Sequence, residues 1–333
     1  MASESVVSLN LCRPTLRGIG DMPPENSWFP VWMLCRHIQF SWDDEPDFLI
    51  FGDIGNGEHL LYPPQTIRIF VTGENCAANW NEADYALTHE RIWSERHWRV
   101  PLWRHWYDTL YTKPVRDFSV VRERVDRFCN FIYSNARAME RIQFFEQLNQ
   151  YKAVDSGGRL MNNVGGPVRD KRSYISRCKF TIAFENESHP GYATEKILEP
   201  LLMGSIPIYW GDPEIEEDFN PDCFVSVHRF KNFEGVVEEV IRIDQDESLW
   251  EKYVTAPIFR NGTLPEKLTD EAIIAFCERI FEERKSQIGL ARKSIQKLQE
   301  RLRRNTALEQ MYEQSRRVTL KCTRSINRIF RER

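Results

Sequence analysis

The segment CKFTIAFENESHPGYATEKILEPLLMGSIPIYWGD, residues 178–212, holds the densest set of side chains able to do chemistry. Its apolar run at 180–184 reads as a buried strand that enters the polar loop Glu185-Asn186-Glu187-Ser188-His189-Pro190-Gly191-Tyr192. A helix follows, with Thr194 as its N-cap and Glu195 and Lys196 in its first turn. Strand, loop and helix N-terminus form the place in an α/β sheet where phosphates are held, because free amide N–H groups and the helix dipole attract anions. A lysine in that turn opposes the dipole, a conflict that a negative ligand removes. Glu195 can accept hydrogen bonds from ribose hydroxyls. A Glu–Lys surface pair behind an ordinary cap accounts for the same spacing.

Two other charged residues stand near element ends. Glu74 follows a strand expected at 66–71 and a turn at Gly73, which can aim its carboxylate into a cleft; a solvated loop position fits it equally. Arg141 lies on a helix expected at 137–147, where it is either a phosphate ligand or a surface partner of Glu140 or Glu146. Asp244-Gln245-Asp246 spells a metal-binding pattern of sugar transferases, but Asp246 reads as a helix N-cap. The seven histidines show no HxH or HExxH spacing and the eight cysteines no CxxC pair. No metal site is therefore predicted.

The elements that must carry these residues alternate. Strands are expected at 6–11, 47–51, 66–71, 84–87 and 128–133, then at 152–154, 179–184, 206–209 and 223–227, with helices at 137–147, 169–176, 194–202 and 236–243. This alternation predicts an α/β protein of two Rossmann-like halves facing across a cleft. The loop Asp155-Ser156-Gly157-Gly158 marks the expected boundary, giving domains at 1–150 and 151–265 and a helical, basic extension at 266–333. At 333 residues, 41% hydrophobic and 28% charged, the chain can bury two cores. No uncharged apolar run approaches the roughly 18 residues of a membrane span, and the first twenty residues lack the pattern of a signal peptide. A reducing cytoplasm is the expected location.

The chemistry-bearing segments resemble the α-1,3-fucosyltransferase family. Phe184-Glu185-Asn186, Tyr192, Thr194-Glu195-Lys196 and Gly204-Ser205-Ile206-Pro207-Ile208-Tyr209-Trp210-Gly211 match its diphosphate-sugar signature, and Asp218-Phe219-Asn220-Pro221 looks like its bacterial branch. Val71-Thr72-Gly73-Glu74-Asn75 with Asn79, Trp80, Asp84, Tyr85 and Ala86 is similar to a second family segment. Ser134-Asn135 with Arg141 is similar to a third. The resemblance implies a GT-B fold and inverting transfer of L-fucose from GDP-β-L-fucose to a hydroxyl of an N-acetylglucosamine-containing acceptor. It implies Glu74 as general base, with Arg141 and Lys196 sharing the charge of the leaving diphosphate. Tyr192 would add a hydroxyl contact, Asn186 and Glu195 would hold the ribose or neighbouring groups, and Glu185 would lie beside the donor sugar. His89 and Glu90 are placed on the acceptor side. Another hydroxyl, another GDP-sugar or a glycan-binding protein without turnover are the alternatives. No cofactor is implied, and divalent metal is at most stimulatory.

Two features fall outside the motifs. Eight of the ten tryptophans lie before residue 107, where they are either core or a sugar-stacking surface. Residues 284–333 carry fifteen Lys/Arg against four Asp/Glu, although the whole chain is −4. A basic tail with an apolar stripe suits the anionic inner face of a membrane, where lipopolysaccharide-type acceptors are carried, and suits a helix packed on the body equally. The stripe at 288–302 allows a homodimer. No nucleic acid is expected as a partner.

Overall fold

The computed structural model describes residues 7–11, 40–42, 46–53, 57–110, 114–136 and 138–283. Strands β1 (Val7–Leu11), β2 (Phe40–Trp42), β3 (Phe48–Phe51), β4 (Ile67–Val71), β5 (Tyr85–Thr88) and β6 (His97–Arg99) form a parallel sheet ordered β2-β1-β3-β4-β5-β6. A second parallel sheet runs β11-β10-β9-β7-β8, from β7 (Arg127–Phe131), β8 (Val154–Ser156), β9 (Cys178–Phe184), β10 (Ile206–Trp210) and β11 (Val225–Ser226). Strands covered on both faces read as continuous apolar runs, which is why FLIF and CKFTIAF stand out in the sequence. The expected pair of parallel-sheet halves is therefore present.

Their boundary differs from expectation. β7 pairs with both β8 and β9, so the second sheet begins at Arg127, not after residue 150. Gly157 and Gly158 are not linker residues. Gly157 N–H donates to Phe131 O at 3.0 Å, and a Cβ on Gly158 would collide with the Tyr133 backbone. The glycines permit close approach of two chain segments. The crossing is made by helix α1 (Leu102–Leu110), which starts beyond β6 but sets Trp103 among Ile197, Leu201, Phe219 and Phe259 of the second half. Helix α2 (Phe118–Arg124) then leads to β7.

Helix α3 (Met139–Tyr151) buries Arg141, Phe144, Phe145 and Leu148, one stripe at i, i+3, i+4 and i+7. It runs four residues past its expected end, so β8 starts at Val154, where Asn149 Oδ1 accepts the strand's first N–H at 2.9 Å. Helices α4 (Lys171–Ser176), α5 (Glu195–Met203), α6 (Phe233–Gln245) and α7 (Glu247–Thr255) complete the second half. Asp246 caps α7, its Oδ1 accepting Leu249 N–H at 3.0 Å. Asp244 pairs with Lys152 and Lys179.

Helix α8 (Asp270–Glu283) corrects the expected extension from 266. It packs Ile273, Phe276, Cys277 and Ile280 onto Phe48, Ile69 and Leu87, so it covers the first sheet. The stripe at 288–302 and the basic tail lie outside the described residues. Among the described residues no helix is long and apolar enough to cross a membrane.

Candidate active site

β7 and β9 are neighbours whose chains leave in opposite directions, β7 through α3 to β8 and β9 through α5 to β10. The loops beyond their carboxyl ends therefore separate and leave a crevice, the place where doubly wound sheets bind ligands. Thr194 caps α5 at its mouth. Its N–H donates to Glu185 Oε1 at 2.7 Å and its hydroxyl reaches the same carboxylate at 2.8 Å. Lys196 Nζ donates to Glu185 Oε2 and Thr194 Oγ1, both at 2.9 Å. Burial alone would pull Lys196 down, but the Glu185 and Glu195 charges more than reverse this and hold its ammonium above the ordinary lysine value. The lysine that opposed the helix dipole is thus charged and already compensated from behind.

Glu185 is the compensating group. Its side chain is wholly enclosed, and a Cβ on neighbouring Gly211 would collide with it. It orients Thr194 and Lys196, and Tyr209, Gly211 and the cap close around the carboxylate.

Arg141 is also fully buried. Nη2 donates to Phe184 O at 3.1 Å, Glu185 O at 2.7 Å and Asn186 Oδ1 at 3.0 Å, Nη1 donates to Asn135 O at 3.2 Å, and the guanidinium lies 4.1 Å from the Tyr133 ring centroid. It ties the two loops of the crevice together and presents Asn186. Arg141, Asn186, Glu195 and Lys196 all line one cavity of about 250 Å³. Burial raises Glu195, but Lys196 and Lys171 act against it and leave its carboxyl below the usual range. Lys171 on α4 and Glu199, one turn along α5 from Glu195, line the same cavity and form an ion pair. Sequence reasoning assigned neither a role, although the i, i+4 spacing of Glu195 and Glu199 was visible.

The first half supplies the opposite wall. Glu74 is exposed beyond β4, held by its N–H donating to Thr72 Oγ1 at 3.0 Å, while Thr72 donates to Asp53 at 2.9 Å. Next to it, Asn75 Nδ2 donates across the cleft to Glu187 Oε2 at 2.8 Å. Tyr192 is buried between the halves. Burial and then Glu185 push its phenol up to about 12, and Glu74 adds to the same effect. Base candidate and phosphate-site candidates therefore act on one side chain.

His89 does not present itself to an acceptor. It is buried edge-on to His189 and Tyr192, at 5.9 and 5.7 Å between ring centroids, and burial lowers it to about 4. Its carbonyl oxygen occupies the space where a Cβ on Gly191, at φ +83°, would stand. Glu90 turns back to accept from Ala78 N–H and Thr88 Oγ1, both at 3.4 Å, steadying the loop beyond Glu74. Most of the tryptophan-rich stretch is packing: Trp103 is enclosed and Trp80 lies under Arg96, whereas Trp93 is 90% exposed beneath Lys267.

A charged seam missed in the sequence fastens the halves. Arg91 Nη2 reaches the enclosed Asp212 at 2.9 Å and Nη1 reaches Glu217 at 2.7 Å. Arg99 grips Asp218 with both Nη atoms at 2.7 Å, and Trp103 Nε1 donates to the same carboxylate at 3.1 Å. Among the described residues no three His, Cys, Asp or Glu side chains gather to hold a metal.

Comparison with known proteins follows the same division. Residues 121–301 match the glycosyltransferase family 10 (fucosyltransferase) C-terminal domain, and residues 21–106 match the alpha-(1,3)-fucosyltransferase FucT N-terminal domain. The junction lies between 106 and 121, upstream of β7, where the sheets also divide. The chain is 33% identical over 229 residues to the alpha-(1,3)-fucosyltransferase FucT of Helicobacter pylori, covering 58% of this chain and 47% of that protein. It is 27% identical over 235 residues to GDP-fucose protein O-fucosyltransferase 3 of Homo sapiens, covering 62% and 48%. It thus spans about half the length of these sequence relatives. A crystal structure of alpha1,3-fucosyltransferase with GDP-fucose shares the two-sheet GT-B architecture, with a TM-score of 0.70 at 26% identity over 85% of this chain and 93% of that one.

Proposed function

Because the chain belongs to glycosyltransferase family 10, the fucosyltransferases, we propose that it moves L-fucose from GDP-β-L-fucose to the 3-hydroxyl of N-acetylglucosamine in a lactosamine-type acceptor, on lipopolysaccharide O-antigen. The observation that carries this reading is the placement of Glu74 across the cleft from the capped α5 N-terminus, with Asn75 bonded to Glu187 between them. A carboxylate on one wall and a held cation on the other is what an inverting displacement requires.

In this mechanism the diphosphate rests on the α5 N-terminus and Lys196, and Glu195 takes the ribose hydroxyls. Glu74 accepts the proton of the acceptor hydroxyl as that oxygen bonds to the fucose anomeric carbon. The bond from that carbon to the β-phosphate oxygen breaks with its electron pair, and GDP departs with the added charge neutralised by Lys196 and the helix amides. Arg141, which lines the same cavity, shares that charge and holds Asn186 and the end of β9 in register. These groups supply the charge stabilisation without a resident metal or cofactor. The likeness to a protein O-fucosyltransferase favours a polypeptide hydroxyl as the second acceptor class. The basic tail is assigned to an anionic membrane surface on the cytoplasmic side, and removal of residues 316–333 should lower sedimentation with anionic liposomes.

The test is GDP release from GDP-fucose with N-acetyllactosamine present. Release that depends on acceptor and falls about 10²–10⁴-fold in Glu74→Gln, with GDP affinity retained, supports the reading. Acceptor-independent turnover, or full turnover by the folded variant, refutes it.

A further inference from the structure

A carboxylate on the cavity-facing side of a buried helix is costly unless something opposes it. Glu199 is such a group: it is 8% exposed, on α5 one turn beyond Glu195, and it lines the same cavity as Lys196 and Lys171. Residues four apart on a helix lie on one face, about 5–6 Å from each other. The cavity thus offers the helix end with Glu195 and Lys196 and, one turn further along α5, Glu199 paired with Lys171 of α4. A nucleotide whose diphosphate and ribose occupy the helix end with Lys196 and Glu195 has its base on the side of Glu199 and Lys171.

Building on the GDP-sugar reading above, we infer that Glu199 and Lys171 are specificity-determining residues that select guanine. An ionised carboxylate only accepts and an ammonium only donates. Guanine presents two adjacent donors, N1–H and the 2-amino group, beside the O6 acceptor, so Glu199 meets the donors and Lys171 meets O6. Adenine presents an acceptor at N1 and a donor at N6, opposite to both. Ile175 and Pro200 line the cavity beside the pair and supply apolar contact for the faces of the ring. Arg172 Nε lies 3.9 Å from Glu199 Oε1 and adds a second positive charge beside the carboxylate. A site built to pair with specific polar groups discriminates strongly against an analogue that leaves them unpaired.

The test is calorimetric titration of the full chain with GDP, IDP (which lacks the 2-amino group) and ADP, for wild type, Glu199→Gln and Lys171→Met. Glutamine is nearly isosteric and leaves Lys171 solvated, and thermal unfolding checks that each variant folds. Wild type is expected to prefer GDP over IDP by about tenfold and over ADP by more, from the worth of a two-point polar contact to a base edge. Glu199→Gln should lose at least about tenfold in GDP affinity with ADP affinity within about twofold, so that the GDP to ADP ratio collapses. Lys171→Met should erode the same ratio. Unchanged ratios, or equal weakening of all three nucleotides, would show a structural ion pair and overturn the inference while leaving the GDP site standing. Absence of any GDP binding by wild type would overturn the nucleotide reading and this inference together.

Discussion

Replacing Glu185 with glutamine tests whether an enclosed carboxylate operates the site from behind. Glu185 accepts from Thr194 N–H at 2.7 Å, from Thr194 Oγ1 at 2.8 Å and from Lys196 Nζ at 2.9 Å. Glutamine has one acceptor oxygen and an amino group that only donates. Either the Thr194 amide or the Lys196 ammonium then faces a donor. Losing one partner of a buried ion pair costs about 3–5 kcal/mol. Lys196 keeps Glu195 at 3.8 Å and some access to the cavity, so the lower end, about 3 kcal/mol, is expected in urea unfolding. The catalytic effect follows from charge. In wild type Lys196 is held above the ordinary 10.5, so its contribution to stability is complete below that value and is lost only as pH rises through the higher folded value. Activity should therefore show no lysine limb between pH 6 and 9. In Glu185→Gln the largest influence opposing burial is removed, leaving Glu195 and the smaller effect of Tyr133, and the lysine is expected to fall. We expect kcat/KM to drop about 10²-fold, the worth of one preorganised charge contact, and to acquire an alkaline limb that wild type lacks. A folded variant with kcat/KM within twofold of wild type and a flat profile to pH 9 would refute this account of Glu185.

Arg141→Lys should lose the fork that binds three acceptors from one nitrogen and destabilise the protein by about 2–4 kcal/mol in urea unfolding; an unchanged midpoint would contradict the tie between the loops. Gly191→Ala should cost more than the ~1–2 kcal/mol of a left-handed alanine, because its Cβ collides with the His89 carbonyl, and should raise KM for GDP-fucose through the displaced Tyr192. His89 is buried neutral and lowered to about 4. The unfolded chain binds the extra proton first, so stability falls as pH drops from 6.5 towards 4, by up to ~3 kcal/mol; His89→Gln should flatten that slope in denaturation at pH 7 and pH 4.5. A chelator such as EDTA should leave more than half of the activity in acceptor-dependent GDP release, and its complete loss with recovery on adding Mn²⁺ would overturn the metal-free assignment.

The second half was legible where local physics decides. β9 is covered on both faces and so appears as one apolar block. Thr194 and Asp246 cap their helices through their own side chains, a signal carried within three residues. Arg141 was not legible as a buried residue, because the carbonyls that accept its protons come from Phe184 and Glu185, more than forty residues along the chain. In the folded helix Met139 is exposed, whereas Arg141 shares the core face with Phe144 and Leu148. The enclosure of Glu185 was not legible for a related reason: only the packing of Gly211 and Thr194 shows that it faces inward. The seam of Arg91, Arg99, Asp212 and Asp218 joins segments more than a hundred residues apart and leaves no local pattern.

That seam sets a rule for recombining this protein with its relatives. A first half exchanged at a point upstream of Arg127 carries Arg91 and Arg99 away from their carboxylates. Asp212 is enclosed and Asp218 nearly so, so a graft bringing neutral residues to the two arginine places would leave two buried carboxyl groups without their partners at the junction. Such a chimera would fail at its weld although each part was sound. Transplanting the two arginines with the second half's pair of aspartates, as one four-residue cassette, is the condition for exchanging halves between proteins of this architecture.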